Sequence, residues 1–265
     1  MNPHMYLYEQ FQLISMQDDT GLPHSLEIVN RSAFCSGAAI LMDLVLLGCI
    51  AIGENGNCTV LPNRIVPNDE VLAKALSRVE KSKKPKPAKH WVVIFTSYDT
   101  PHRKAVKNLV AKEVVKLTKQ TTWKIFTKTR YPLQNTALKQ SILNDVERCL
   151  APETIPKATT LTLLGLVRSA GLLPYIFANR YSKDPDALQT AVNEALKHKP
   201  QSNIVENAME DAVRRQEMFE ALEMSLESLT FALDSVMDAV DATTGGDGIG
   251  DGGDGGGGGD GGGGD

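Results

Sequence analysis

The stretch AAILMDLVLLGCIAI, Ala38–Ile52, decides how this chain is read. Fifteen residues carry a single charge, Asp43, near the middle. A helix that crosses a bilayer needs about 20 apolar residues to cover ~30 Å of hydrocarbon. This run is shorter, and a carboxylate at its centre is costly in lipid. It also breaks early. Gly48 stops the helix, and CIAIGENGNCTVL then reads as two strands about an Asn55-Gly56 turn, a strong hairpin signal. The expectation is a helix over Ser32–Leu47 buried in protein, since helices apolar on most faces lie at the centre of helical folds. Asp43 within it is the most suspicious acid in the chain for catalysis. The better reading is a buried carboxylate satisfied by a neighbouring Arg or a backbone N–H.

Working outward, Tyr6–Met16 puts Leu7, Phe11 and Ile14 on one helical face. PNDEVLAKALSRVE predicts a helix capped by Asn68 or Asp69, with Val71, Leu72, Ala75, Leu76 and Val79 inward. KSKKPKPAK is a basic connector that its prolines keep from being helical throughout, and Lys89–Thr96 resumes a short helix around Trp91. TPHRKAVKNLVAKEVVKL opens with Thr100 as cap and Pro101 at the first helical position. Val106, Leu109 and Val110 form its buried face. EVVKLTKQTTWKIFTKT reads as a second hairpin turning at TKQTT. Further helices follow: one capped near Asn135, one ended by Gly171, and one with Asp184 as cap and Pro185 just inside. Glu206–Thr243 carries Leu222, Leu226, Leu229, Leu233, Val236 and Val240 at helical steps, a core stripe with an acidic outer side. Beyond Gly245 only Gly, Asp and one Ile remain, too little apolar surface to fold. GGDGIGDGG lacks the regular repeat and β-forming residues of calcium-binding nonapeptide arrays. The expected architecture is mainly α: a central apolar helix bundle, amphipathic helices around it and two short β-hairpins. It makes one domain over 1–243, followed by a disordered Gly/Asp-rich tail over 244–265.

The net charge of −4 over 265 residues conceals an asymmetry. Between Lys74 and Lys139 there are seventeen Lys and Arg against three acids, a local +14; from Pro200 onward two Arg face fifteen acids, a local −13. A basic block of this density points to an anionic partner: phosphate, nucleic acid or a membrane surface. The four cysteines form no CxxC, and no histidine stands at zinc-finger spacing, so reduced thiols in a cytosolic setting are expected. MNPHMYLYEQ lacks the basic and apolar regions of a secretory signal. There is no P-loop, GxGxxG, HExxH or GxSxG, so the residues offer no catalytic constellation, and neither cofactor nor metal site is expected.

Several stretches resemble, in order and spacing, the Golgi phosphoprotein 3 family. AAILMDLVLLGCIAI is similar to its central helix and DEVLAKALSRVE to its DxxLxxAL helix. KPKPAKHWV looks like the segment before its tryptophan. KNLVAKEVVKL with KTRYPL, and TLLGLVRSAGLLPYIF, match later helices. The resemblance covers about Met5–Lys197. TRYPL and SAGLLP look like the bacterial branch. It implies a non-enzymatic peripheral membrane adaptor that binds anionic phospholipid head groups (phosphatidylinositol 4-phosphate in eukaryotic members) on the cytoplasmic face of membranes, the Golgi if the source is eukaryotic. It also implies cytoplasmic tails of membrane proteins as partners, and self-association through a hairpin at about Val114–Thr127. Of the family's head-group positions, two fall on His102 and Lys104, with Arg103 between them. The other two fall near Ile28 and Gly37, which do not match, though Arg31 lies close by in sequence. The expected lipid-binding set is therefore His102, Arg103, Lys104 and Lys107, with His102 contributing charge when protonated. The competing reading is a winged-helix-like nucleic-acid binder built from the same basic helix and hairpin. Lysine dominates that helix, which suits phosphate contact and not base readout, so no nucleic acid is expected.

Overall fold

The computed structural model describes residues 3–26, 28–53, 55–97, 101–122, 126–151, 156–178, 184–197, 232–236 and 238. The Thr100 cap, the hairpin tip, most of the 206–243 helix and the Gly/Asp tail lie outside them. Nine helices are placed among the described residues: α1 (Leu7–Ile14), α2 (Ile28–Leu46), α3 (Glu70–Glu80), α4 (Ala88–Ser97), α5 (Pro101–Ala111), α6 (Thr136–Arg148), α7 (Ala158–Ser169), α8 (Leu173–Ile176) and α9 (Pro185–Lys197). Residues 232–236 are helical as well. Strands β1 (Ile50–Ile52), β2 (Asn57–Val60) and β3 (Lys86–Pro87) form one antiparallel sheet, and β4 (Thr118–Thr122) pairs with β5 (Phe126–Arg130) in another. The molecule is mainly α with short hairpins.

α2 is the axis. It begins one turn before the expected start, and Cys35–Val45 are all buried. By length and composition it is apolar enough to span a bilayer, yet two-thirds of its most apolar window is packed inside the protein. α1 and α4 pack against it. Thr96 Oγ1 donates to Ala33 O at 3.2 Å and to Val92 O at 2.8 Å. Gly37 lies at this crossing because a Cβ there would sit 2.5 Å from Thr96 Oγ1 and 2.6 Å from Val92 O. Gly48 ends α2 at φ +65°, a conformation glycine adopts without strain. The chain then turns into β1 and β2 about Gly56, also at positive φ. The connector is more ordered than its prolines indicate, since Lys86–Pro87 adds a third strand to β2.

Asp43 does what a buried carboxylate must: it accepts from the backbone N–H of Leu7 at 2.8 Å and of Tyr8 at 2.9 Å. It thus caps the first turn of α1 from the middle of another helix, where N–H groups lack intrahelical acceptors. Asp69 caps α3 through Val71 N and Leu72 N, and its other oxygen accepts from Tyr8 Oη at 2.9 Å and Asn108 Nδ2 at 3.2 Å. α1, α3 and α5 are therefore tied at one carboxylate. Asp69→Ala is expected to lower stability by about 1–3 kcal/mol, more than a surface cap, because it also takes the acceptor from the Tyr8 hydroxyl proton and from one Asn108 N–H. A chemical denaturation curve measures it.

The second hairpin corrects one expectation. TKQTT is not the turn but strand β4, in register with β5 from Thr118↔Arg130 to Thr122↔Phe126. Its β-branched threonines suit a pleated strand better than a turn. The base of the hairpin lies where expected: Val115 bridges Leu133 in the same register, Lys116 N donates to Pro132 O and Gln134 N to Val114 O, each at 2.9 Å, and Val114 and Val115 anchor it in a smaller core cluster with Val106, Leu109 and Leu138. In the late helix, Ala232, Leu233 and Val236 are buried, and Lys89 Nζ donates to Ser235 Oγ at 3.3 Å, so that part of the leucine stripe is core.

Candidate functional site

α5 carries all four expected lipid-binding residues, but they do not share one face. At 100° per residue, Ala105, Val106 and Leu109 define the buried side, and all three are buried. Arg103, Lys104 and Lys107 fall within one 100° arc opposite. Arg103 and Lys107 are exposed, one turn apart; Lys104 is half-buried between them. His102 stands off this arc, and its Nδ1 lies 2.9 Å from Gln12 Oε1 on α1. Desolvation lowers the imidazole's affinity for a proton, and the Arg103 charge lowers it further, although the residue keeps a solvent-exposed edge. His102 thus stands apart as an exposed imidazole of lowered proton affinity set against Gln12, and Arg103, Lys104 and Lys107 form the cationic face.

That face is only partly neutralised. Lys104 Nζ lies 3.6 Å from Glu70 Oε1, and the same carboxylate holds Lys74 at 2.6 Å. The two lysines together depress the Glu70 carboxyl. Among the described residues no ion pair engages Arg103 or Lys107.

The rest of the basic block divides. Lys81 at the end of α3, Lys83 and Lys84 in the turn after it and Lys86 in β3 are all exposed. Two other lysines are structural. Lys112 Nζ donates to His4 O at 2.9 Å and to Glu9 Oε2 at 2.5 Å, holding a carboxylate that is fully buried. Lys139, 7% exposed, donates to Met16 O at 2.7 Å and to Asp18 Oδ1 at 2.6 Å. The sequence did contain a signal for Lys139. It stands at i−3, i−4 and i−7 from Ile142, Leu143 and Val146, on the apolar stripe of α6. For Lys112, just past the end of α5, no periodicity marked the role.

The two family positions without a match are closed. Ile28 is buried, and Gly37 is filled by the α2–α4 crossing, leaving no volume for a longer side chain. Arg31 lies near Gly171 at the end of α7: a Cβ on that glycine would be 4.0 Å from its guanidinium.

A cleft of about 460 Å³ opens between the end of α1, α6 and α8, lined by Asp18, His24, Lys139, Glu147 and Tyr175 among others. Its ammonium is already paired with Asp18, and two carboxylates outnumber it, so it suits an anion poorly. Among the described residues no group of three or more His, Cys, Asp or Glu is placed to hold a metal ion.

What the fold and this surface define is a helical domain wrapped around a buried apolar helix, presenting a cationic outer helix. Residues 7–216 match the model of the Golgi phosphoprotein 3 (GPP34) family, and the chain belongs to that family. No individual curated protein matches it.

Proposed function

We propose that this protein is a peripheral membrane adaptor, without enzymatic activity, that docks reversibly on anionic phospholipid through the outer face of α5. The observation that carries this reading is the single arc of Arg103, Lys104 and Lys107 on the side of α5 opposite its buried face. Membership of the Golgi phosphoprotein 3 family supports the adaptor role, and docking on the cytoplasmic face of a membrane follows from the partner. Each cation at an anionic bilayer contributes about 1 kcal/mol. Arg103 and Lys107 together supply about 2 kcal/mol, roughly thirtyfold in partition, Lys104 adds less because Glu70 shares its charge, and screening by salt makes the contact reversible. With Ile28 and Gly37 in place of the family's two other head-group residues, the contact reads negative charge and not one head group.

Charge reversal at Arg103, Lys104 and Lys107 together is expected to abolish co-sedimentation with phosphatidylserine vesicles at low salt while leaving the thermal melt unchanged. Equal sedimentation of that variant rejects the surface. A gel shift with duplex DNA, abolished by the same reversal while vesicles are ignored, would favour a nucleic-acid partner instead. His102→Ala serves as the internal control and is expected to sediment as the parent protein does, since the imidazole stands off the cationic arc against Gln12.

A further inference from the structure

We infer that the loop leading into α2 is an apolar wedge that enters the same bilayer, with Leu26 as its leading side chain. The inference rests on the docking reading above and adds a second element to it. Leu26 is 90% exposed, the most exposed large apolar side chain among the described residues, and Leu22 and Val29 beside it are each 38% exposed. Leu26 and Val29 are joined by a backbone hydrogen bond at the start of α2, and exposed apolar surface that is contiguous marks an interaction site.

The loop is not slack. Gln17 N donates to Leu22 O at 2.8 Å, Gln17 Nε2 donates to Pro23 O at 3.1 Å, and Met16 bridges Pro23. His24 Nε2 lies 3.3 Å from Ile14 O, and its ring stacks on Tyr175 with centroids 5.1 Å apart. On the other side, Val29 N donates to Leu26 O at 3.2 Å as α2 begins. Leu26 is thus held out on a fixed mount, so burying it in a partner requires little further ordering.

Its place in the fold identifies the partner. His24 contacts the last turn of α1 at Ile14, and His102, at the start of α5, contacts the same turn at Gln12. Leu26 and the cationic face of α5 therefore lie at one end of the bundle. An anionic bilayer offers negative charge at its surface and hydrocarbon just beneath, which matches a cationic helix beside a short apolar projection. The next most exposed apolar residues, the neighbours Ile65 at 83% and Val66 at 63%, sit at the opposite end, where the Ile65 carbonyl accepts from Cys49 Sγ. Ile65 is the natural control.

Three variants test this on phosphatidylcholine vesicles with and without phosphatidylserine. Leu26→Ser should weaken partition into the anionic vesicles about tenfold, in line with losing one buried leucine, with the salt dependence unchanged. Ile65→Ser should bind as the parent protein does. Leu26→Trp should show blue-shifted emission, quenched by brominated lipid, with the anionic vesicles alone. Parent-like binding by Leu26→Ser, while the triple charge reversal fails to bind, overturns the wedge and leaves the docking face standing. A parent protein that ignores anionic vesicles overturns both. A blue shift of Leu26→Trp that grows with protein concentration in the absence of vesicles also overturns the wedge, because a second copy of the chain then covers Leu26.

Discussion

Replacement of Asp43 by alanine should cost on the order of 3–5 kcal/mol, the largest loss expected from any single truncation in the α1–α2 contact. The change strands the Leu7 and Tyr8 N–H groups, both buried, and opens a void in the middle of α2. Chemical denaturation monitored by circular dichroism measures the loss. Asp43→Asn keeps the shape, so it separates charge from volume. Desolvation, helped by the nearby Glu9 and Asp69 charges and opposed by the two N–H donors, raises the Asp43 carboxyl from 3.8 to about 7. The sign follows from proton counts. Across that window the folded protein keeps a proton that the unfolded chain has released, so stability falls as pH rises toward 7 and is flat beyond it. Asp43→Asn lacks this component. The difference between the stability curves of the parent and of the Asp43→Asn variant should therefore slope between about pH 4 and 7 and level off above it. A difference that is level throughout would mean that the carboxylate is already ionised at the lower limit.

Gly37→Ala should cost about 1–3 kcal/mol by overpacking, although alanine is the better helix former. The intrinsic preference loses because the new methyl must displace both Thr96 Oγ1 and the Val92 carbonyl, and the second is backbone. Thr96→Ala removes the side-chain obstacle and leaves the carbonyl. The double variant should then be more stable than the sum of the single losses, by a coupling of about 0.5–1 kcal/mol in a double-mutant cycle. Strict additivity would place the α2–α4 contact elsewhere. Gly37→Arg, which restores a basic side chain at that family position, should unfold the domain and not add a head-group contact. At Gly37 the space such a side chain would need is occupied by the α2–α4 packing.

The long elements were legible because each carries two agreeing signals, an apolar period and a chemically sensible end. Asp69, Asn135 and Asp184 all cap as expected, and Gly48 and Gly171 both turn at positive φ. The reading of Asp43 as a carboxylate satisfied by backbone N–H also holds. What failed was local or remote. TKQTT looked like a turn because polar residues serve both turns and exposed strands, and only pairing with Phe126–Arg130 distinguishes them. Lys86–Pro87 joined a sheet through a partner almost thirty residues away. The candidate site was legible as charge but not as geometry. A helical wheel separates His102 from its neighbours, whereas Lys112 and Lys139 leave the pool of available cations through Glu9 and Asp18, contacts that span about a hundred residues.

The four thiols determine how the surface can be labelled. Cys35, Cys49, Cys58 and Cys149 are all unpaired and buried. Desolvation pushes Cys58 up to about 12 and Cys149 up to about 11, and raises the other two as well. Maleimides and oxidants attack the thiolate, which none of these sites supplies near neutral pH. A cysteine placed on the surface would therefore be the one nucleophile a probe finds, and spin labels or fluorophores can be attached site by site without first stripping the native sulfurs from the interior.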